Sequence, residues 1–237
     1  MRFLLLFPMA FGIGLLFMSC EDKQTSKKTN TTVVKDSMVS ETKVKPKKKI
    51  NSEYPKLTDN NAMDFFLEYE KENPENKIRI TTDFGIIEIE LYDKTKFHRG
   101  NFVYLTKRGY FDGTQFYRVV KNFVIQGGSS DDYNIAKRRQ NIGKYLLPPD
   151  TKRGYTHKRG AVSMPSSEIE NAYKLASPFQ FFIIQRHGGA DYLDDDYTVF
   201  GEVISGMDVV DAINAVKTDE GDWPLSNVYI RKVELIE

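Results

Sequence analysis

From residue 77 onward, short apolar segments alternate with polar turns. Ile87, Ile89 and Leu91 alternate with Glu88 and Glu90, which is the period of a strand with one buried face. Similar segments recur along the chain and predict strands at 78–82, 86–91, 116–120, 123–126, 161–164, 179–184, 198–203 and 228–236. No helix-strand alternation of a doubly wound sheet is present, so the pattern favours an antiparallel barrel or sandwich.

Helical spacing occurs in three places. A lead-in segment at 57–76 has apolar residues on related turns and is expected to be helical up to Pro74. Within the mostly β domain, residues 77–237, one helix is predicted at 98–108. Another follows residue 206, with Val210 and Ile213 on its buried face.

The amino terminus is patterned as an export signal. An unbroken run of apolar, Pro and Gly residues from Phe3 to Met18 follows Arg2, which is short for a membrane-spanning helix but typical of a secretory signal. The tetrapeptide that ends at Cys20 resembles a bacterial lipobox, where the signal is cut before a lipid-modified cysteine. We therefore expect residues 1–19 to be removed and Cys20 to carry acyl chains such as palmitate. The alternative is an ordinary signal peptide or a buried thiol.

The charge is divided unevenly along the chain. The total is +1, yet residues 21–50 carry nine Lys against four acidic residues and contain no aromatic residue. Such a segment cannot bury enough apolar surface to fold, so residues 20–56 are interpreted as a flexible Lys/Thr-rich tether. The remainder is mildly acidic, and this argues against nucleic acid as a partner.

The cysteine and histidine counts exclude several kinds of site. One Cys allows no intramolecular disulfide, and three scattered His make a histidine metal cluster improbable. The run Asp194-Asp195-Asp196 lacks the spacing and terminal Glu of a calcium loop and is interpreted as an acidic solvated turn. We expect neither a metal nor a cofactor.

One segment points to a function. Residues 109–128 are Gly-Tyr-Phe-Asp-Gly-Thr-Gln-Phe-Tyr-Arg-Val-Val-Lys-Asn-Phe-Val-Ile-Gln-Gly-Gly. Together with residues 160–164, 180–183 and 199–203, this segment resembles the cyclophilins, a family of peptidyl-prolyl cis-trans isomerases. The resemblance covers roughly residues 77–237 and implies a closed eight-stranded antiparallel barrel capped by two helices.

The implied reaction needs neither a nucleophile nor a cofactor. Rotation about an Xaa-Pro amide has a barrier of about 20 kcal/mol because resonance holds the bond planar. At the half-rotated state resonance is lost, and the prolyl nitrogen regains its lone pair. A fixed donor near that nitrogen, with an apolar seat for the ring, binds the twisted state better than either planar isomer.

The resemblance assigns roles to particular residues. It implies Arg118 and Gln126 as catalytic residues, and it implies substrate contacts from Phe123, Val124, Gln180, Phe182, Leu193 and Tyr197. Taken singly, an Arg on a strand is more often a surface ion-pair partner, and apolar side chains are more often core. The segment Pro165-Ser166 departs from the Ala-Asn pair that is common in the family, and Tyr197 stands where many members carry His.

The resemblance and the amino terminus together predict a monomeric isomerase, anchored by lipid to a membrane of a bacterial cell envelope outside the cytoplasm. Its partners would be proline-containing peptides and unfolded or exported proteins. The alternative is a membrane-tethered module or chaperone that binds proline peptides without catalysis, and the changed Pro165-Ser166 segment motivates it.

Overall fold

The computed structural model describes residues 54–166 and 171–237. Among these residues the helices are α1 (Ala62–Glu72), α2 (Lys96–Lys107), α3 (Tyr133–Ile142) and α4 (Met207–Asn214). The strands are β1 (Leu57–Thr58), β2 (Lys77–Thr82), β3 (Gly85–Leu91), β4 (Gln115–Val120), β5 (Val124–Ser129), β6 (Gly143–Lys144), β7 (Ala161–Met164), β8 (Phe181–Ile184), β9 (Thr198–Ser205) and β10 (Ile230–Ile236). The predicted signal segment, Cys20 and the tether up to residue 53 lie outside the described residues.

Eight of the strands form a single sheet. Their order is β10-β2-β3-β9-β7-β8-β5-β4, and each neighbouring pair is antiparallel. The short strands β1 and β6 pair separately and in parallel. The prediction of a mostly β, eight-stranded antiparallel fold is therefore confirmed.

The sheet curls, but it does not close into the barrel that the resemblance implied. Edge strand β4 is joined to the residue that precedes the other edge strand, β10, through an isolated bridge between Gln115 and Tyr229. Further along β4, the N–H of Val119 donates to the carbonyl oxygen of Asp222 at 2.8 Å. Asp222 belongs to the α4–β10 loop (residues 215–229), which takes this edge position in place of β10. The expected closed barrel is therefore wrong, and the sheet is an open half-barrel.

Alternation along the strands builds two separate apolar clusters. On one face of β5 and β8, Ile125 and Ile183 belong to the main core, which they share with Phe102 of α2. On the opposite face, Val124 and Phe182 belong to a second and smaller cluster. The sheet is thus apolar on both faces in this region, and the second cluster supports the surface described below.

Helices α1, α2 and α4 correspond to the three predicted helical segments, whereas α3 has no counterpart in the prediction. Only Ile135 and Ile142 of α3 are buried, so the sequence shows too little apolar periodicity to indicate a helix. The side chain of Asp132 begins α3 by accepting a hydrogen bond from the N–H of Asn134 at 2.6 Å.

In residues 54–166 and 171–237, no helix is long and apolar enough to cross a membrane.

A buried ion pair joins α1 to α2. The Nη2 of Arg99 donates to Glu70 Oε2 at 2.6 Å, and both side chains are less than a tenth exposed. The same guanidinium donates to the backbone carbonyl of Asn73 at 3.2 Å. Removal of either partner would leave a buried charge, so the pair fixes α1 on α2. The lead-in segment accordingly contributes Leu57 and Phe66 to the main core.

His98 of α2 gives the fold a dependence on pH. Its ring is fully buried beside Phe200, and neither ring nitrogen has a hydrogen-bond partner among the described residues. Burial lowers the pKa of His98 from 6.5 to about 3. The unfolded chain binds a proton near pH 6.5 and the folded chain does not, so the free energy of unfolding falls as the pH decreases from 6.5 towards 3.

Replacing His98 by a neutral side chain should weaken this dependence. Between pH 7 and pH 4, the free energy of unfolding of the His98→Leu variant should fall by roughly 3 kcal/mol less than that of the wild type. Urea unfolding of both proteins at the two pH values measures the difference, because the other titrating groups cancel in the comparison. An equal loss in the two proteins would contradict a neutral buried His98.

Candidate functional site

Three of the predicted side chains stand in one row across the sheet. In the strand register, Arg118 of β4 lies opposite Gln126 of β5, and Gln126 lies opposite Phe182 of β8. Directly opposed residues project from the same face of a sheet. Strand pairing therefore brings together three residues that are widely separated in the sequence.

A β-bulge in β4 determines which side chains reach this face. Phe116 pairs with Gly127 and Arg118 pairs with Gln126, so Tyr117 is the extra residue between the two pairs. Phe116 is buried in the main core, whereas Tyr117 and Arg118 are both partly exposed. The bulge thus directs two consecutive side chains of β4 towards the outer face.

These side chains border a pocket of about 120 Å³. It is lined by Arg118, Phe123, Val124, Gln126, Pro165, Phe182, Leu193 and Tyr197. The structure brings together all the side chains predicted for catalysis and substrate binding except Gln180. The one addition is Pro165, which the sequence marked as a departure from the family pattern.

The pocket has a preformed apolar floor. Phe182 is only 6% exposed and meets the ring of Tyr197 edge-on, with ring centroids 5.9 Å apart. Phe123 stacks on Tyr192 at the outer edge, at 6.1 Å. Val124 is buried beside Phe182 in the second cluster. Packed side chains thus form the floor and leave room for a compact apolar group.

His157 supports the floor from behind. Its ring stacks on Phe182 at 5.9 Å, its Nδ1 lies 2.6 Å from Asp194 Oδ1, and its Nε2 lies 3.0 Å from Ser163 Oγ. Asp194 also accepts from the backbone N–H of His157 at 2.7 Å. Burial lowers the pKa of His157, and its contact with Asp194 opposes that effect. Because Asp194 directly follows Leu193, this network fixes Leu193 at the pocket wall.

Arg118 is the one charged residue among those that line the pocket. Its Nη2 donates to Asp222 Oδ2 at 3.0 Å, and its side chain remains 40% exposed. An ion pair in this position is screened by solvent and contributes little to stability. Its effect is to orient the guanidinium while other N–H groups stay accessible.

The loop that carries Asp222 is held by its own hydrogen bonds. Asp222 has φ 65°, a left-handed conformation that Asp tolerates better than most residues. Asp219 Oδ1 accepts from the N–H groups of Gly221 and Trp223, both at 2.9 Å. With the bond from Val119 to the Asp222 carbonyl, these contacts place the carboxylate beside Arg118 before any ligand arrives.

Gln126 has one half of its amide committed. One N–H of its Nε2 donates to the hydroxyl of Tyr117, which orients the amide, and the carbonyl oxygen Oε1 is its acceptor. Since a peptide N–H is a donor, Gln126 is suited to accept a hydrogen bond from a bound peptide backbone.

Gln180 lies in a second cavity, next to the pocket. This cavity, called the flanking groove below, measures about 360 Å³. It is lined by two serines, by the rings of Tyr117 and Trp223, by the amides of Gln115, Gln180 and Asn227, and by the carboxylate of Asp131. Gln180 is therefore placed beside the pocket rather than in it.

Asp222, His157 and Asp194 are parts of this site that no sequence motif indicates. Arg118 and Asp222 are 104 positions apart, and His157 and Asp194 are 37 positions apart. Neither pair belongs to a local motif. The prediction of a solvated acidic turn does not account for Asp194, because its carboxylate binds the buried His157.

Within the described residues, no group of three or more His, Cys, Asp or Glu side chains is arranged to hold a metal ion. The pocket itself offers a cation, an amide carbonyl and apolar walls. These groups can bind and polarise a ligand, but none of them is a nucleophile suited to covalent chemistry.

Comparisons with known proteins agree with this fold. Residues 77–235 match the family model of the cyclophilin type peptidyl-prolyl cis-trans isomerases/CLD. The chain therefore belongs to the cyclophilin family of peptidyl-prolyl cis-trans isomerases, as the sequence motifs indicated.

Individual relatives match the same part of the chain. Peptidyl-prolyl cis-trans isomerase cypE of Dictyostelium discoideum is 36% identical over 160 residues, which are 67% of this chain and 96% of that protein. Peptidyl-prolyl cis-trans isomerase-like 2 of Rhizopus delemar is 34% identical over 169 residues, but the match spans only 30% of its length. Both relatives are eukaryotic, and the likeness concerns the isomerase domain alone.

A solved structure shares the fold. The crystal structure of a cyclophilin type peptidyl-prolyl cis-trans isomerase from Cryptosporidium parvum has a TM-score of 0.57 and 23% sequence identity, covering 69% of this chain and 98% of that one. A second structure of the same protein, with the dipeptide Ala-Pro, has a TM-score of 0.56.

The orientation of Arg118 can be tested through Asp222. In an Asp222→Asn variant the loop should persist, because Asn also adopts left-handed backbone, but the ion pair is lost. Rotation of the Arg118 guanidinium, measured by side-chain NMR relaxation, should accelerate by up to about fivefold. An Asp83→Asn variant, which breaks the exposed pair with Arg231, serves as the control and should leave Arg118 unchanged. Equal rotation rates in wild type and Asp222→Asn would contradict the orienting role.

Proposed function

We propose that this chain accelerates the cis-trans isomerisation of Xaa-Pro bonds without covalent chemistry, with Arg118 stabilising the twisted amide. One observation carries the proposal: a single half-exposed guanidinium borders a small pocket whose floor is apolar and preformed. An apolar floor suits a prolyl ring, which has no N–H to satisfy. A cationic donor at the rim suits the nitrogen lone pair that appears only when the amide twists.

The protein's contribution is to position dipoles rather than to exchange atoms. Planar isomers have their nitrogen lone pair delocalised, so Arg118 interacts with them weakly. In the half-rotated state the lone pair is localised, and a donor already held in place stabilises it without reorganisation. Asp222 supplies that prior orientation, and Gln126 Oε1 holds the adjoining peptide backbone.

The packing of the pocket supports the same mechanism. Isomerisation swings one side of the peptide around the amide while the ring stays bound, so the ring needs a seat that does not move. Phe182 provides this seat, because His157 stacks behind it and is itself bonded to Asp194 and Ser163. A rigid floor also lowers the entropy lost when the peptide binds.

The second candidate is a module that binds proline peptides without catalysis. Pro165 lines the pocket, and a proline there offers no backbone N–H to a bound peptide. With fewer backbone contacts, a peptide would be retained by its ring alone and would twist no faster than in water. Under that hypothesis the peptide binds, but the rate of isomer exchange stays at its spontaneous value.

Exchange NMR on a small Xaa-Pro peptide distinguishes the two candidates. Exchange should accelerate with the wild type, and Arg118→Ala should reduce kcat/KM by about 100-fold, as the loss of one oriented donor does in other enzymes. Arg118→Lys should recover only part of the rate, because Lys has no planar fork.

Arg231→Ala is the matched control, since Arg231 is also an exposed, ion-paired arginine on an edge strand, β10, and it should retain the full rate. Peptide binding without accelerated exchange would favour the non-catalytic module. Acceleration that survives in Arg118→Ala would refute the role of Arg118.

The proposal extends to location and clients. The lipobox-like segment before Cys20 and the Lys-rich tether support a lipid-anchored isomerase of a bacterial envelope, outside the cytoplasm, that acts on exported proteins. Acyl chains contribute about 0.8 kcal/mol per buried CH₂, so two or more chains anchor a protein stably.

Mass spectrometry of the mature chain tests the anchor. The expected amino-terminal peptide begins at Cys20 and carries the added mass of acyl groups, and a Cys20→Ser variant should lose that mass and leave the membrane fraction. A mature chain that retains Ser19, or an unmodified Cys20, would contradict lipidation and leave the isomerase proposal unaffected.

A further inference from the structure

The flanking groove is not needed to hold a prolyl ring, yet it lies next to the pocket proposed to do so, and a hydrogen bond links the two linings. Tyr117, on the groove side, accepts a hydrogen bond from Gln126, on the pocket side. The bulge in β4 places Tyr117 and Arg118 as consecutive outward residues. Each residue of an extended peptide advances the chain by at most about 3.6 Å. When a proline occupies the pocket, the side chain of a residue close to it in the peptide is therefore expected to reach the groove.

The groove contains one charged residue among those that line it, and that residue is acidic. Asp131 follows β5 and is exposed. The neighbouring segments carry further carboxylates, Asp132 at the start of α3 and Asp219 and Glu220 in the α4–β10 loop. No Lys or Arg is among the lining residues. The electrostatic potential of the groove is therefore expected to favour a cation.

The aromatic lining favours the same kind of ligand. The rings of Tyr117 and Trp223 lie 5.9 Å apart, and Trp223 is 57% exposed. An exposed large ring beside a carboxylate can take up both the apolar stem and the charged head of a long basic side chain. Since the Asp219 bonds fix the backbone at Trp223, this ring position is set in advance.

We propose that the flanking groove binds a Lys or Arg side chain that lies within two residues of the proline in the pocket. This selectivity rests on the proposed function, because the proline pocket supplies the anchor. The preference arises from Asp131, Tyr117 and Trp223, and it adds a specificity that the pocket alone does not have.

The chain carries its own reporter for this groove, since Trp223 is its single tryptophan. The test uses the full chain and the peptide acetyl-Ala-Ala-Ala-Pro-Ala-Ala-amide, together with versions that carry one Lys at each position one or two residues from the proline. The same peptides with acetyl-lysine keep the length and remove the charge. Binding is followed by the fluorescence and the indole NMR signal of Trp223, and isomerisation by exchange NMR.

At least one Lys peptide should bind roughly threefold to tenfold more tightly than its acetyl-lysine counterpart, and it should shift the Trp223 signal. The preference should shrink as ionic strength rises. Asp131→Asn should remove most of it. Asp195→Asn removes an equal charge from an exposed turn that follows Leu193 of the pocket, and it should preserve the preference.

Several outcomes would overturn the inference. Equal affinities for the Lys and acetyl-lysine peptides at every position would do so, and so would a preference that Asp131→Asn leaves intact. Equal losses in Asp131→Asn and Asp195→Asn would show a general charge effect instead of a groove. If no peptide is isomerised but the Lys preference persists at Trp223, the proposed reaction fails while the groove assignment stands.

Discussion

The hydrogen bond from the Val119 N–H to the Asp222 carbonyl determines much of what this molecule presents to a ligand. Together with the bond from the Phe116 N–H to the Val228 carbonyl, it gives the outer edge of β4 to a loop instead of to β10, so the sheet stays open along that side. The same bond brings the Asp222 carboxylate to Arg118 and the neighbouring Trp223 to Tyr117. An unpaired strand edge is usually a hazard for association; in this fold a loop satisfies it, and that loop also helps to build the site.

A second constraint is that β5 and β8 must be apolar on both faces. One face packs into the main core, and the other forms the pocket floor, so neither strand can show the clean alternation of a half-exposed sheet. An apolar outer face would ordinarily be exposed surface. It is covered instead by the segment around Leu193, which His157 ties down through Asp194. The pocket is what remains uncovered, and its size follows from how closely that segment is held.

These constraints explain what the sequence could predict. Period-2 alternation identified the strands around Ile87 and Ile89, and the motif of residues 109–128 indicated the side chains that register places in one row. Closure of the sheet depends on which backbone group occupies the edge of β4, and side-chain patterns do not encode that choice. Helix α3 was missed because it buries only Ile135 and Ile142. Asp222 and His157 were missed because each acts through a partner far away in the sequence.

The half-exposed state of Arg118 is itself informative about catalysis. A deeply buried guanidinium would require a permanent partner and would be strongly paired in every state. A fully solvated one would interact with water as well as with any lone pair. At 40% exposure and with one contact to Asp222, the group is oriented but not neutralised. Under the proposed mechanism, a peptide that covers the pocket would exclude water from the guanidinium at the moment the amide twists, so the bound substrate itself would strengthen the interaction that lowers its barrier.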